Sequence, residues 1–355
     1  MIYGCMVSEG QEVHMSLDAA PIVAVLCAGG SRPPGLQSVE RSLTVRYTDA
    51  TGLARAIVDA DVLLLWDFFS SALQEVWDQA NRLSWVHVAA AGVDRLLFDE
   101  LIDSQVTVTN ARGVFDRPMA EFALMSVLAH AKDVHVSHQL QSRQVWRHRE
   151  TVVVAGRKAL IVGTGAIGRE TARLLRAVGM EVRGAGRVAR RHDPSFGEVL
   201  SSAHLADHVA WADYVIVVTP LTEHTRGLVD RTVLREMQPT SYLINLGRGP
   251  CVVEDDLVGA LTSGQISGAA LDVFETEPLP PGHPLWTTPG RHRVPSHVRR
   301  RPWLARHTGA PVRRQPRAVR RRPPVAERGR QAPRVRTDGR GRGVTVSGQN
   351  RAGSR

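Results

Sequence analysis

The sequence predicts an α/β fold built on parallel sheets, and three observations predict it. Short apolar runs alternate with helical stretches along most of the chain, as expected of strands covered by helices. A glycine-rich turn, Gly163-Thr164-Gly165-Ala166-Ile167-Gly168, joins one such run to an amphipathic helical stretch. The 355 residues suffice for two ordinary domains.

Residues 1–20 are weakly patterned and read as an N-terminal extension. The apolar run at 21–26, closed by Gly29 and Gly30, reads as a first strand, and 43–47 as a second. Residues 60–66 look like a buried strand, followed by a helix near 71–80. Another strand at 85–88 ends in Ala89-Ala90-Ala91-Gly92-Val93-Asp94, and 106–110 follows it. Pro118 opens a helical segment from 119 to about 141, with Phe122, Met125, Val127, Leu128, Ala131 and Val134 on a broad apolar face. That helix either joins two domains, forms a subunit contact or lies in a core. A second α/β unit starts at Arg157, with strands at 158–162, 181–184, 214–218, 241–244 and 268–271 and helices at 167–178 and 256–261.

The net charge of +10 is unevenly spread. Residues 291–355 hold 20 arginines, no lysine, and only Glu327 and Asp338 as acids, a balance of +18, whereas residues 1–290 carry −8. The tail also has seven prolines and one aromatic residue, Trp303, so it is expected to be mostly disordered. Three accounts compete for it: a basic arm drawn to phosphate by charge alone, a solvated extension, and a shift of reading frame in a GC-rich gene. The acidic body weighs against nucleic acid as a partner.

Cys5, Cys27 and Cys251 are too widely spaced for a disulfide scaffold or a zinc knuckle. No metal is expected, and the compartment reads as reducing and cytoplasmic. No apolar run of spanning length and no signal peptide is evident, so no membrane association is expected.

The glycine-rich turn follows the strand 158–162 and opens a helix, the context that a dinucleotide fingerprint requires. Gly163 allows the tight turn, Gly165 the approach of a pyrophosphate, and Gly168 helix–strand packing. Ala166 and Ile167 start the helix, whose unpaired N–H groups favour phosphate. The next strand ends in Gly184-Ala185-Gly186-Arg187, followed by Arg190 and Arg191. Without a carboxylate to accept from a ribose 2′-hydroxyl, the site is expected to prefer NADP over NAD, with Arg187 on the 2′-phosphate. The alternative leaves these arginines as solvated loop residues.

Further motifs occur in a fixed order: Asn110-Ala111-Arg112-Gly113, Pro118-Met119-Ala120-Glu121, Pro220-Leu221-Thr222 with Thr225, Asn245-Leu246-Gly247-Arg248-Gly249, and the run from Ala270 through Asp272 and Glu277 to Pro280. Together they closely resemble the D-isomer-specific 2-hydroxyacid dehydrogenases over about residues 60–290, including the glyoxylate/hydroxypyruvate reductases among them. The resemblance implies a Rossmann-type NAD(P)-binding domain at 115–290 inserted into a flavodoxin-like substrate domain at 21–114, with the site in the cleft between them and a homodimer as the assembly. It implies that Arg248 holds the substrate carboxylate and polarises the reacting carbonyl. It further implies that Glu277 orients an acid–base histidine and raises its pKa, that Asp272 stands near the nicotinamide carboxamide, and that Pro220 and Thr225 flank the cofactor. Ala91 and Gly92 match the loop whose N–H groups bind the carboxylate. Trp66, Phe68 and Phe69 suggest an apolar wall.

One member of the pattern is displaced. The family has Pro-His shortly after the Leu-Trp segment, whereas residues 291–298 here read Arg-His-Arg-Val-Pro-Ser-His-Val. Permitted codons for residues 291–299, read one nucleotide later, give Val-Ile-Val-Ser-Pro-His-Met-Ser-Gly. His297 is the nearest encoded histidine, and a fortuitous exposed side chain is its better reading. The implied chemistry is hydride transfer between NAD(P)H and a small 2-oxo acid, giving a D-2-hydroxy acid, with the altered C-terminus bearing on turnover. A non-catalytic, dinucleotide-binding regulatory protein is the competing class.

Overall fold

A computed structural model of the chain describes residues 20–288 except Gly30 and Val39, together with the backbone of Arg291–Arg293. Two sheets organise it. The first is wholly parallel, in the order β2-β1-β3-β4-β5, from β1 (Ile22–Leu26), β2 (Thr44–Thr48), β3 (Val62–Leu65), β4 (Trp85–Val88) and β5 (Thr107–Asn110). Short helices α1 (Leu53–Ala56), α2 (Ala72–Glu75) and α3 (Asp99–Ile102) lie between its strands. Helices α4 (Asp116–Ala131) and α5 (Val134–Ser142) then lead into the second unit.

The second sheet has the order β13-β12-β11-β10-β6-β7-β9-β8. Its strands are β6 (Lys158–Val162), β7 (Glu181–Gly186), β8 (Arg190–Asp193), β9 (Gly197–Ser201), β10 (Tyr214–Val217), β11 (Tyr242–Asn245), β12 (Gly268–Leu271) and β13 (Arg291–Arg293). Only the β8–β9 pair is antiparallel. Every residue of β10, β11 and β12 is buried, which is why these strands read as unbroken apolar runs rather than alternating ones. Helix α6 (Ala166–Ala177) follows β6 and packs on α4; its buried stripe is Thr171, Ala172, Leu174 and Leu175. One core cluster joins Val25 of β1 and Trp66, just after β3, to Phe122, Ile161 and Tyr242.

Four expectations need correction. The helix from 119 to 141 is broken at Asp133, whose φ of 47° lies in the left-handed region. Aspartate tolerates that conformation, and the Asp133 C=O opens α5 by accepting from Ser137 N–H at 3.0 Å, with the Ser137 and Arg149 side chains also donating to it. Met125 and Val134, assigned to the buried face, are exposed. The helix expected at 71–80 is one α turn, α2, followed by a 3-10 turn at Trp77–Gln79. The hairpin β8–β9 was not anticipated, because Arg190-Arg191-His192-Asp193 has no apolar alternation; at a sheet edge the ladder needs none.

The fourth concerns the break placed after Gly290. Arg291–Arg293 extend the sheet beyond β12, pairing Ala269 with Arg291 and Leu271 with Arg293. Main-chain groups make that ladder, so an abrupt change of composition does not prevent it. The extension at 1–19 and the tail from Val294 onward, His297 included, lie outside the described residues.

Candidate active site

Parallel strands aim their carboxyl ends at one side, and ligands bind there in open α/β sheets. β6 is followed by Gly163, whose φ is 116° and whose N–H donates to Ala185 O at 2.9 Å. A Cβ on Gly163 would stand 2.9 Å from the Val218 carbonyl carbon, and one on Gly168 would overlap Gly163 O. Both positions therefore require glycine. A Cβ on Gly165, the residue capping α6, would meet nothing within 4 Å. Open space thus faces the N-terminus of α6, the shape a pyrophosphate needs. Gly165, Ala166, Ile167 and Gly168 line one side of a cavity of about 350 Å³ that also reaches Ala91, Gly92 and Arg248.

Arg187 is exposed one residue beyond β7. Arg190 instead donates through Nε and Nη2 to Asp193 at 3.1 and 2.9 Å, so the cluster of three arginines is smaller than the sequence suggested. Pro220 lines the cavity. Thr225 ties the turn behind it, its hydroxyl donating to Pro220 O at 2.7 Å and accepting from Thr222 N–H at 2.8 Å. Asp272 is fully buried just after β12, its N–H donating to Asn245 O at 3.0 Å.

Arg248 follows β11 on a turn braced by Asn245, which accepts from Gly247 N–H at 3.1 Å and donates to Arg248 O at 3.0 Å. Its guanidinium lies against the turn after β4: a Cβ on Gly92 would overlap Arg248 Nη2. Asn110, at the end of β5, pins that turn by donating to Ala91 O at 2.6 Å. The sequence thus assigned Arg248, Ala91 and Gly92 separately, and the fold brings them together. It also reveals a partner the sequence reading passed over. Asp94 pairs with Arg248 at 2.7 Å, with both side chains largely buried. An acid two residues past an anion-binding turn was the available signal, since it needs a cation close by.

Glu277 is held differently from expectation. Among the described residues, its oxygens take Arg95 Nη2 at 3.1 Å and Phe274 N–H at 3.1 Å, and no histidine. Its loop is clasped to α9 (Glu254–Thr262), where Glu254 accepts from Glu275 N–H at 2.6 Å and Glu275 accepts from Glu254 N–H at 3.2 Å. Burial pushes the Glu254 carboxyl above its ordinary range. Burial likewise raises Asp116, which lines the cavity, while Arg112 pulls it back. Of the proposed aromatic wall, only Phe68 lines the cavity; Trp66 is in the core and Phe69 is half exposed.

A dinucleotide turn and a largely buried arginine on one sheet, facing the Gly92 turn of the other across a shared cavity, define a nicotinamide-dependent oxidoreductase. Comparison with known proteins narrows the class. Residues 124–298 match the family profile "D-isomer specific 2-hydroxyacid dehydrogenase, NAD binding domain". The chain is 33% identical over 251 residues to a glyoxylate/hydroxypyruvate reductase A of Serratia proteamaculans, covering 67% of this chain and 76% of the relative. Its fold is similar to that of a D-isomer specific 2-hydroxyacid dehydrogenase from Xanthobacter autotrophicus Py2 in complex with NADPH and MES (TM-score 0.68, 29% identity, 79% of this chain and 89% of that one). It is similar too to an NADPH-dependent glyoxylate/hydroxypyruvate reductase from Sinorhizobium meliloti in complex with NADP and sulfate (TM-score 0.68, 25% identity, with 79% and 89% covered).

The chain belongs to the D-isomer-specific 2-hydroxyacid dehydrogenases. That makes it an oxidoreductase of the class that passes hydride between NAD(P)H and a small 2-oxo or 2-hydroxy acid. No helix among the described residues is long and apolar enough to cross a membrane, and no metal-ligand cluster occurs among them.

Proposed function

We propose that the chain is an NADPH-preferring reductase of small 2-oxo acids of the glyoxylate and hydroxypyruvate type. One observation carries this reading: Arg248 lies against the Gly92 turn in the same cavity as Gly165 and Gly168. An anion site and a dinucleotide cradle thereby share one cleft. In this reading Ala91 and Gly92 offer N–H groups to the substrate carboxylate, and Arg248 binds it and stabilises the negative charge that develops on the carbonyl oxygen. Bound NADPH supplies the hydride. Arg187, at the end of β7, favours the 2′-phosphate.

The assembly we propose is a homodimer. Trp146 is fully exposed, and Met125, Val134, Val152 and Val153 are exposed along the neighbouring segment, an apolar surface of the kind that marks contacts. We also place the protein in the cytoplasm, a reading supported by Cys27 and Cys251, both buried and outside any disulfide. Light scattering after size exclusion, repeated with Trp146→Ser, tests the dimer.

A single-turnover mixture of the protein, stoichiometric NADPH and excess glyoxylate tests the chemistry, because it registers even slow reduction. NADPH should be consumed by the native chain and persist with Arg248→Ala. NADPH that binds tightly but is never oxidised, with any small 2-oxo acid, would favour the non-catalytic alternative.

A further inference from the structure

The role of Asp94 is the unexplained feature of the cleft. A carboxylate beside a site for carboxylates should weaken binding by repulsion, yet here it is gripped by the very arginine that would take the ligand. A guanidinium has five N–H groups in a fixed plane. Arg248 Nε donates to both Asp94 oxygens, at 3.1 and 2.9 Å, and Nη2 donates to Asp94 Oδ1 at 2.7 Å. Nη1 donates to Gly247 O at 2.8 Å. Among the described residues, one N–H on each terminal nitrogen is left for a ligand.

We propose that Asp94 is a positioning residue that selects 2-oxo acids over simple carboxylates. The inference rests on the reductase reading above and adds to it the source of substrate discrimination. A two-point grip on the Nε edge fixes the plane of the guanidinium as well as its place. The two remaining N–H groups are then held in set directions, with Nη2 against the Gly92 turn. A ligand with two adjacent oxygens, one on its carboxylate and one on its neighbouring carbonyl, meets both. A simple carboxylate that turns both oxygens to the guanidinium leaves the Ala91 and Gly92 N–H groups unmet, and one held by that turn reaches the guanidinium at a single point. Charge and geometry thus oppose one another at Asp94: its charge weakens every anion, and its grip strengthens the two-oxygen anion alone.

Calorimetric titration of the NADPH-saturated protein with oxamate and with acetate separates the two effects. Oxamate carries a carboxylate next to a carbonyl; acetate does not. In Asp94→Asn the charge is lost and the grip is loosened, because the amide NH2 cannot accept and the Nε bond to the second oxygen, at 2.9 Å, has no counterpart. Oxamate should bind at least tenfold more weakly, acetate as well as before or better, and NADPH unchanged. Asp94→Glu keeps the charge but shifts the carboxylate by one methylene, and the oxamate-to-acetate ratio should again fall at least tenfold. That variant carries the test if Asp94→Asn does not fold. Oxamate binding at native strength or tighter in the variant that folds overturns the role of Asp94 and leaves the reductase reading standing. A native protein that binds NADPH but no oxamate overturns the reductase reading and the inference with it.

Discussion

Arg95 Nη2 stands 3.1 Å from Glu277 Oε2, and its guanidinium carbon lies 5.2 Å from the centre of the Phe69 ring. Neighbouring residues Asp94 and Arg95, on the loop after β4, therefore reach partners of opposite charge that both belong to the dinucleotide-binding unit, Arg248 and Glu277. The two bridges differ in kind. Arg95 is 48% exposed, whereas Arg248 and Asp94 are 17% and 15% exposed. Solvent screens the first and scarcely reaches the second.

Arg95→Ala should accordingly lower the free energy of unfolding by no more than about 1 kcal/mol and leave NADPH affinity as it was. Urea denaturation measures the first quantity and fluorescence titration the second. A loss above about 3 kcal/mol, the scale of a broken buried pair, would show that the bridge holds the two units together.

Gly92→Ala should separate the substrate side of the cleft from the cofactor side. The new methyl group would overlap Arg248 Nη2 and approach Asp94 Oδ1 to 2.8 Å. The arginine tip is the movable partner, so the fold should survive with the guanidinium displaced. Oxamate affinity should fall at least tenfold, about 1.4 kcal/mol, with NADPH affinity within twofold of native. Unchanged oxamate binding would place the ligand elsewhere.

Much of this arrangement was legible in the sequence, and the exceptions share a cause. The strands 158–162 and 268–271 and the roles of Gly163 and Gly168 follow from local pattern, since apolar runs and forced glycines leave marks within a few residues. Arg248 against Gly92 could be read only as two separate motifs, because 156 positions separate them and nothing local pairs them. The ion pairs of Asp94 and Arg95 are invisible for the same reason, although an acid and a base side by side after a small-residue turn hint at two partners. The break at Asp133 was hidden because the helical period runs on across it into Val134. The hairpin β8–β9 escaped because β8 is an edge strand built on main-chain bonds and a polar surface, while β9 carries only Val199 and Leu200 as an apolar mark.

Cofactor choice follows from the end of β7. Gly186 and Arg187 put no carboxylate there and one exposed guanidinium just past the strand. NADPH should bind at least several-fold more tightly than NADH, and Arg187→Ala should remove most of the difference by weakening NADPH alone. Equilibrium titration of both cofactors with both proteins measures it. Equal native affinities, or tighter NADH, would refute the preference.

His130 makes stability depend on pH. It is stacked on Tyr242 at 4.1 Å between ring centres, with Nδ1 3.1 Å from Tyr214 OH and Nε2 3.2 Å from Ser267 Oγ. Burial holds its pKa below 6.5, with Asp133 opposing the shift. A folded-state pKa below the unfolded one means that the unfolded chain takes up the proton first. The contribution of the neutral ring is complete above pH 6.5 and is lost as pH falls through the lower, folded value. His87, also depressed by burial, acts in the same direction. His130→Gln should cost about 1 kcal/mol at pH 8, from the lost stacking and imperfect hydrogen bonds. Its stability should then fall less than that of the native protein between pH 7 and pH 5. Parallel losses for the two proteins would show that His130 does not titrate in this window.

Turnover is the property most exposed to the composition change near Gly290. The cleft supplies the cofactor turn and Arg248, but Glu277 meets Arg95 rather than a histidine among the described residues. The family match runs to residue 298, one position past His297, in a stretch outside the described residues. Losing a general acid costs on the order of 100- to 10,000-fold in rate, and a misplaced substrate turn adds to that. The chain as encoded should therefore bind NADPH yet reduce glyoxylate or hydroxypyruvate slowly. A companion protein translated one nucleotide later after Gly290, which restores Pro-His, should gain at least the range lost with a general acid. Steady-state NADPH oxidation by both proteins is the comparison. A native rate of about 1 s⁻¹ or faster, within the ordinary enzyme range, would contradict the expected defect. His297→Ala then becomes the deciding variant: lost activity with unchanged NADPH affinity would show that His297 reaches the cleft and donates the proton. Unchanged activity would place the donor elsewhere in the chain.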